Sequence, residues 1–146
     1  HSSNDMLSYA LPTILDDLAL VASYTPNGDG GAGSSTSYSA TYTGIEGLTV
    51  AYGAGEDNTT TATADATAWK VSYAYGSFTA TVTDLEYDHE TPTSDRDMSS
   101  MAVSYTVSDE ISIGYGEEEI TDGSASSEKA EFSGFDVSYT AGGMTL

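Results

Sequence analysis

The stretch from Met101 to Tyr115 alternates apolar residues with small polar ones, and this period of two is the strongest constraint on the fold. It is typical of β-strands, in which successive side chains point to opposite faces. Folding the stretch about 108–110 pairs aromatic with β-branched or aliphatic residues across two strands, an arrangement that stabilises sheets. The predicted pairs are Val107–Ile111, Tyr105–Ile113 and Val103–Tyr115. One face of this hairpin is therefore apolar throughout, whereas the other carries only Ser, Thr, Ala and Gly.

Composition extends this prediction to the whole chain. Its 146 residues suffice for one ordinary domain, and we treat 1–146 as a single unit. The sequence contains eleven Tyr and fifteen Gly but few of the good helix formers Lys, Arg and Leu. This balance favours short strands joined by turns over helices. Composition therefore predicts an all-β fold. The alternation of short and long connections between its strands further favours an antiparallel up-and-down meander that forms part of a transmembrane β-barrel.

Period-two patterning and turn residues together predict nine strands. They lie near 6–11, 18–25, 37–43, 48–54, 68–75, 78–87, 98–107, 111–119 and 132–141, with a further strand just begun at Met144. Gly76-Ser77 suits a type II′ turn, and Gly142-Gly143 suits a type I′ turn. After Thr83 the apolar residues change face, which either a β-bulge or the exit of the strand from apolar surroundings would explain.

The connections between these strands alternate between short and long. Five tight turns are predicted at one end of the sheet and four loops of roughly ten residues or more at the other, namely 26–35, 56–67, 88–97 and 121–130. Transmembrane β-barrels have short turns on one side and long loops on the other. A soluble acidic β-sandwich, such as an adhesin or a surface or matrix protein, also has alternating strands and remains the alternative.

In the barrel interpretation the two faces of the sheet have different roles. The polar face would line a water-filled pore. Its predicted pore-lining residues are Lys70, Ser72, Thr79, Thr81, Ser104, Thr106, Ser112, Asp136 and Ser138. The opposite face would place aromatic rings at the membrane interfaces. Its predicted lipid-facing aromatic residues are Trp69, Tyr73, Tyr105, Tyr115 and Tyr139. In a sandwich the rings would form the core, and Lys70 and Asp136 would face water.

The net charge of the chain limits the classes of molecule that it can bind. The chain has 23 Asp and Glu against 3 Lys and Arg, a formal net charge of -20. This excess opposes the binding of nucleic acid through basic patches and favours cations near the acidic loops. Two acidic series are candidate oxygen ligands for a divalent cation such as calcium, although neither matches an EF-hand. They are Glu117–Glu119 and the set Asp84, Glu86, Asp88 and Glu90. The absence of Cys excludes disulfides and thiolate metal sites.

Catalysis finds little support in the sequence. Only His1 and His89 could act as a general base, and His89 lies in an acidic loop where a solvated histidine is expected. We therefore predict no catalytic residue, no enzymatic activity and no organic cofactor.

The Val-x-Tyr strands, the Gly-Ser and Gly-Gly turns and the opening segment Asn4–Tyr9 resemble the Gram-negative porins, most of all the alphaproteobacterial type. The resemblance extends over essentially the whole chain. It implies a sixteen-stranded, homotrimeric channel in the bacterial outer membrane, in contact with lipid, through which small hydrophilic solutes and ions diffuse passively.

Two further features follow from this resemblance. Asn4–Tyr9 is similar to the segment at which the constriction loop of the family ends, and Leu18–Tyr24 is similar to the strand that pairs with it. The early strands, the body of that loop and the closing strand have no counterpart, so the resemblance implies the central segment of a longer chain with an incomplete barrel. The arginine cluster of the family has no counterpart beyond Lys70, which leaves ion selectivity open.

Overall fold

A computed structural model describes residues 6–12, 16–26, 33–58, 62–123, 129–141 and 144–145. These residues form one sheet of ten strands whose spatial order follows the order in the chain. The strands are β1 (Leu7–Ala10), β2 (Leu18–Thr25), β3 (Ser34–Ile45), β4 (Leu48–Asn58), β5 (Thr63–Tyr75), β6 (Phe78–His89), β7 (Arg96–Thr106), β8 (Ile111–Asp122), β9 (Lys129–Ala141) and β10 (Met144–Thr145). Each pairs antiparallel with the next, so the all-β up-and-down meander is confirmed. In the described ranges the only helical element is a 3₁₀ turn at Pro92–Ser94.

All nine predicted strands and the begun tenth strand are present, but several extend further than predicted. β4 ends at Asn58 and β5 begins at Thr63, so the intervals between paired strands are 26–33, 59–62, 90–95 and 123–128. The prediction of four loops of about ten residues was therefore wrong. The ladder is made by backbone groups, and Thr, Ser and Ala continue it without an apolar partner.

The central hairpin folds as its sequence pattern indicates. Tyr105 pairs with Ile113, and Val103 pairs with Tyr115. The backbone N–H of Val107 donates a hydrogen bond of 2.9 Å to the carbonyl oxygen of Ile111. Alternation of residue type together with the position of the turn at 108–110 was therefore sufficient to predict this register.

The change of apolar face after Thr83 is not caused by a bulge. β6 keeps an unbroken register with β5 and with β7 over its described pairs. Asp84 and Glu86 therefore continue the face of Phe78 and Val82. The strand leaves its apolar surroundings at this point, which was the second of the two predicted explanations.

Two tight turns bring the backbone into the left-handed region. Gly47 has φ 77° and Gly76 has φ 58°, and the positive φ at Gly76 fits the type II′ turn predicted there. The backbone N–H of Ala74 on β5 donates to the carbonyl oxygen of Gly47 at 2.8 Å. The predicted turn at Gly142-Gly143, like residues 13–15 and 1–5, lies outside the described residues.

The sheet has no hydrophobic core of its own. Among the described residues no hydrophobic side chain is buried, and no second sheet covers the first. Tyr73, Tyr105 and Tyr139 are 43%, 48% and 42% exposed. The β-sandwich alternative is therefore wrong, since it required these rings inside. An apolar face this large needs an apolar medium or partner to cover it.

Replacing Gly47 by alanine should destabilise the sheet more than the same change at Gly76. Both positions have positive φ, so alanine costs roughly 1–2 kcal/mol at either one. At Gly47 the added Cβ would also collide with the carbonyl oxygen of Ala74, whereas at Gly76 it would meet nothing within 4 Å. Urea titration of the full chain folded in lipid vesicles measures both free energies of unfolding. Equal losses would contradict this difference.

Candidate pore wall and apolar band

The pleat and the register assign every strand residue to one of two faces. Residues paired across strands share a face, and neighbours along a strand alternate. We call the face that carries Lys70 the polar face and the face that carries Trp69 the apolar face. The turn side of the sheet is the end with Gly47 and Gly76, and the loop side is the opposite end.

The structure brings all nine predicted pore-lining residues to the polar face. Thr81 pairs with Ser72, Thr79 pairs with Ser104, and Ser112 pairs with both Thr106 and Ser138. Asp136 pairs with Gly114 in the same row as Ser104. The five predicted lipid-facing aromatic residues all lie on the apolar face. The placement agrees with the sequence patterning, while the roles in lining a pore and contacting lipid stay predictions.

Hydroxyl groups of the polar face bind one another. The hydroxyls of Ser72 and Thr81 are 2.9 Å apart, and those of Ser112 and Ser138 are 2.7 Å apart. Neither pair contacts a histidine. His89 accepts a hydrogen bond from the backbone N–H of Thr91 at Nδ1, at 2.9 Å, and its own backbone N–H donates to Asp95. This geometry gives His89 a role in the connection after β6, whereas the hydroxyls provide a wettable surface.

The apolar residues of the apolar face form a band that crosses the register obliquely. The row of pairs that contains Tyr38 on β3 reaches β9 at Lys129. On β9 the aromatic residue at the same edge of the band as Tyr38 is Phe135, which lies six positions beyond Lys129. Since β9 is six strands from β3, this edge shifts by six residues over six strands. Likewise the row of Tyr42 reaches β9 at Ser133, and Tyr139 lies six positions further. Both edges of the band therefore shift by one residue for each strand.

This shift is the one expected for tilted strands in a barrel. Strands lie about 4.8 Å apart, rise about 3.3 Å per residue and tilt by about 35–45° from a barrel axis. A plane perpendicular to that axis then crosses each successive strand about one residue further along it. The band is thus level with respect to a barrel axis although it is oblique to the hydrogen-bonded rows.

Aromatic residues mark both edges of the band. The loop-side aromatic row is Tyr24, Tyr38, Tyr52, Trp69, Tyr115 and Phe135. The turn-side aromatic row is Tyr42, Tyr73, Tyr75, Phe78, Tyr105 and Tyr139. Aliphatic residues lie between the rows, one on each strand from β2 to β9. They are Leu20, Ala40, Val50, Val71, Ala80, Val103, Ile113 and Val137. Aromatic rows flanking an apolar zone are typical of membrane interfaces.

Carboxylates begin on the apolar face immediately beyond the loop-side aromatic row, and we call them the acidic collar. The collar consists of Glu56, Asp65, Asp84, Glu86, Asp88, Asp97, Glu117, Glu119 and Glu131. Lys129 lies among them and donates to Glu119 at 2.6 Å. This hydrogen bond and the negative charge of Glu119 raise the pKa of Lys129 above its ordinary value. The ammonium group therefore stays charged well above neutral pH.

The two acidic series predicted as calcium ligands do not form a cluster. Glu117 and Glu119 belong to the collar, whereas Glu118 lies on the opposite face because it is the neighbour of both along β8. In the part of the chain that the structure describes, no three His, Cys, Asp or Glu side chains are arranged to hold a metal ion. Calcium binding at the loops stays a prediction.

On the loop side the polar face carries large apolar side chains. Leu85, Met98 and Ile120 are consecutive partners across β6, β7 and β8 and lie on the polar face. The sequence pattern of β6 indicates this change of face after Thr83, whereas the patterns of β7 and β8 do not indicate it. Counting register outward from each tight turn would have located the rest, because the turns fix the pairing.

Comparison with known families agrees with this geometry. Within the described ranges no helix is long and apolar enough to cross a membrane. No curated protein shows a significant match to the chain. The family model described as Gram-negative porin matches residues 1–146, which is the entire sequence. The chain therefore belongs to the Gram-negative porin family.

Proposed function

We propose that this chain forms part of the wall of a bacterial outer-membrane channel, through which small hydrophilic solutes and ions diffuse passively. The observation that carries the proposal is the level apolar band between two aromatic rows. Val50 and Val137 lie at its centre and are exposed, and no second sheet covers them in the described structure. Burying such a side chain is worth about 1.5–3 kcal/mol, so a band of this extent favours lipid over water.

The polar face supports the other half of the proposal. Between the levels of the two aromatic rows, strands β3 to β9 carry Ser, Thr, Ala and Gly on this face, together with the charged Lys70 and Asp136, and β2 adds Val21. Small hydroxyl side chains keep a wall wettable and leave room for solutes. No catalytic group is needed for passive diffusion, and the described contacts of His89 do not supply one.

A channel also requires a closed barrel, and the open edges of this sheet need strands to pair with. Within the described residues β1 and β10 do not pair with each other. Unpaired backbone groups cost several kcal/mol each in hydrocarbon, so both edges require further strands. We propose that the rest of a longer chain supplies them, and that the channel is a homotrimer as the resemblance to porins implies. Lipid then surrounds the surface that the band presents outward.

The complete longer chain proposed above, purified in detergent and added to a planar lipid bilayer, should produce stepwise increases in current. Each step should have an open conductance that rises with salt concentration, because a water-filled pore conducts bulk electrolyte. The heat-unfolded protein is the control. An absence of steps from a correctly folded preparation would refute the channel function.

Arginine at Val71 should destabilise the protein in lipid, whereas arginine at the adjacent Ser72 should not. Val71 lies at the centre of the band, where an arginine facing lipid costs about 2–4 kcal/mol. Ser72 points to the opposite, proposed water-filled side. The measurement is the free energy of unfolding of Val71→Arg and Ser72→Arg in vesicles, by urea titration. Comparable losses in the two variants would show that the band does not face lipid.

The channel should prefer cations at low salt. The acidic collar and the net charge of -20 make the proposed outer mouth negative. At physiological ionic strength the Debye length is about 8 Å, so added salt should weaken the preference. The measurement is the reversal potential across a KCl gradient at two mean concentrations. Equal permeability to K⁺ and Cl⁻ at low salt would contradict the prediction.

A further inference from the structure

The carboxylate of Asp136 lies against a glycine on the neighbouring strand. Asp136 on β9 pairs with Gly114 on β8, and Gly114 is the only buried residue in the described ranges. A Cβ added at Gly114 would lie 3.0 Å from Cγ of Asp136 and closer still to its Oδ1. The carboxylate thus occupies the space that any side chain at position 114 would need.

No protein group neutralises this carboxylate. The described residues form no hydrogen bond or ion pair with Asp136. Its side chain borders a recess of about 190 Å³ in the polar face. The polar-face residues that line the recess are Thr79, Thr81, Ala102, Ser104, Gly114 and Gly116. The recess therefore offers hydroxyl oxygens beside an unpaired negative charge, and it has no positive charge of its own.

Asp136 lies at the same level as Lys70. The row of paired residues that contains Lys70 on β5 reaches β9 at Phe132. Asp136 lies four positions beyond Phe132, and β9 is four strands from β5. This is the shift of one residue per strand that both edges of the band follow. The other described charged strand residues of the polar face lie nearer the loop side. They are Asp57, Arg96, Glu118 and Asp122.

The two charges are too far apart to cancel for an ion at the wall. Four strand spacings of about 4.8 Å and four residues of about 3.3 Å together separate them by roughly 23 Å along the sheet. That distance exceeds two Debye lengths of about 8 Å at physiological ionic strength. An ion in the recess beside Asp136 therefore experiences a net negative potential.

We propose that Asp136 selects for cations, including solutes that carry an ammonium group, and that the missing side chain at Gly114 sets how far its carboxylate reaches into the pore. Asp136 is the selecting residue, and Gly114 is a positioning residue. The inference rests on the channel function proposed above.

A methyl group at Gly114 would move the carboxylate away from the wall and toward passing ions. The matched control is Gly134, which lies two residues from Asp136 on the same strand and face and does not line the recess. A Cβ added at Gly134 would meet nothing within 4 Å. Gly134→Ala therefore leaves Asp136 in place.

The test is the ratio of K⁺ to Cl⁻ permeability of the full chain in planar bilayers, obtained from reversal potentials. Asp136→Asn should lower the ratio about threefold, because a charge about 6 Å from the ion path attracts K⁺ and repels Cl⁻ in water, and physiological salt screens both effects by about half. Gly114→Ala should raise the ratio about 1.5-fold, because the charge moves closer to that path. Gly134→Ala should leave the ratio unchanged. In the Asp136→Asn background, Gly114→Ala should have no effect.

Each contrary result is informative. An unchanged ratio in Asp136→Asn would overturn the selecting role of Asp136. An effect of Gly114→Ala that persists in the Asp136→Asn background would overturn the positioning role of Gly114. Methylammonium in place of K⁺ should show the same threefold loss in Asp136→Asn, and a loss confined to K⁺ would exclude ammonium-bearing solutes. If the unaltered protein gave no current, the channel function itself would be refuted.

Discussion

The continuous antiparallel ladder is the constraint on which the rest of the structure depends. Hydrocarbon offers no partner to an exposed N–H or C=O group, so a sheet that crosses it must satisfy these groups strand by strand. The unbroken register of β6 with β5 and β7 meets this demand through a segment where the side chains change from apolar to acidic. The backbone therefore maintains the strand, while the side chains determine which medium each part of it contacts.

Two independent periodicities then position every side chain. Alternation along a strand selects the face, and the shift of one residue per strand selects the level along the proposed pore. Trp69 and Lys70 are adjacent in sequence and at nearly the same level, yet they lie on opposite faces. Lys70 and Asp136 are 66 positions apart in the sequence and lie on one face at one level. Selectivity in such a wall therefore arises from residues that no local motif connects.

These two periodicities also explain what the sequence could and could not predict. The face on which Tyr105 or Ser104 lies can be predicted from local alternation alone. The strands and the central pairs were therefore predicted correctly. Strand ends near Asn58 and Thr63 were missed, because Asp and Asn are depleted in strands and common in turns, whereas the ladder here continues through them. Predicting the level of Asp136 requires the register of every strand pair between β5 and β9. Its position over Gly114 depends on a side-chain conformation, which sequence patterning does not encode.

The distribution of the few basic residues is the last consequence of this geometry. The chain has three, and Arg96 and Lys129 both lie at the loop side, beside Asp122 and Glu119 respectively. There they reduce repulsion between nearby carboxylates, although exposed pairs of this kind add little to stability. Lys70, the third, forms no salt bridge among the described residues and stands at the level of Asp136. Because it lies away from the loop-side carboxylates, we expect it to act on solutes within the proposed pore.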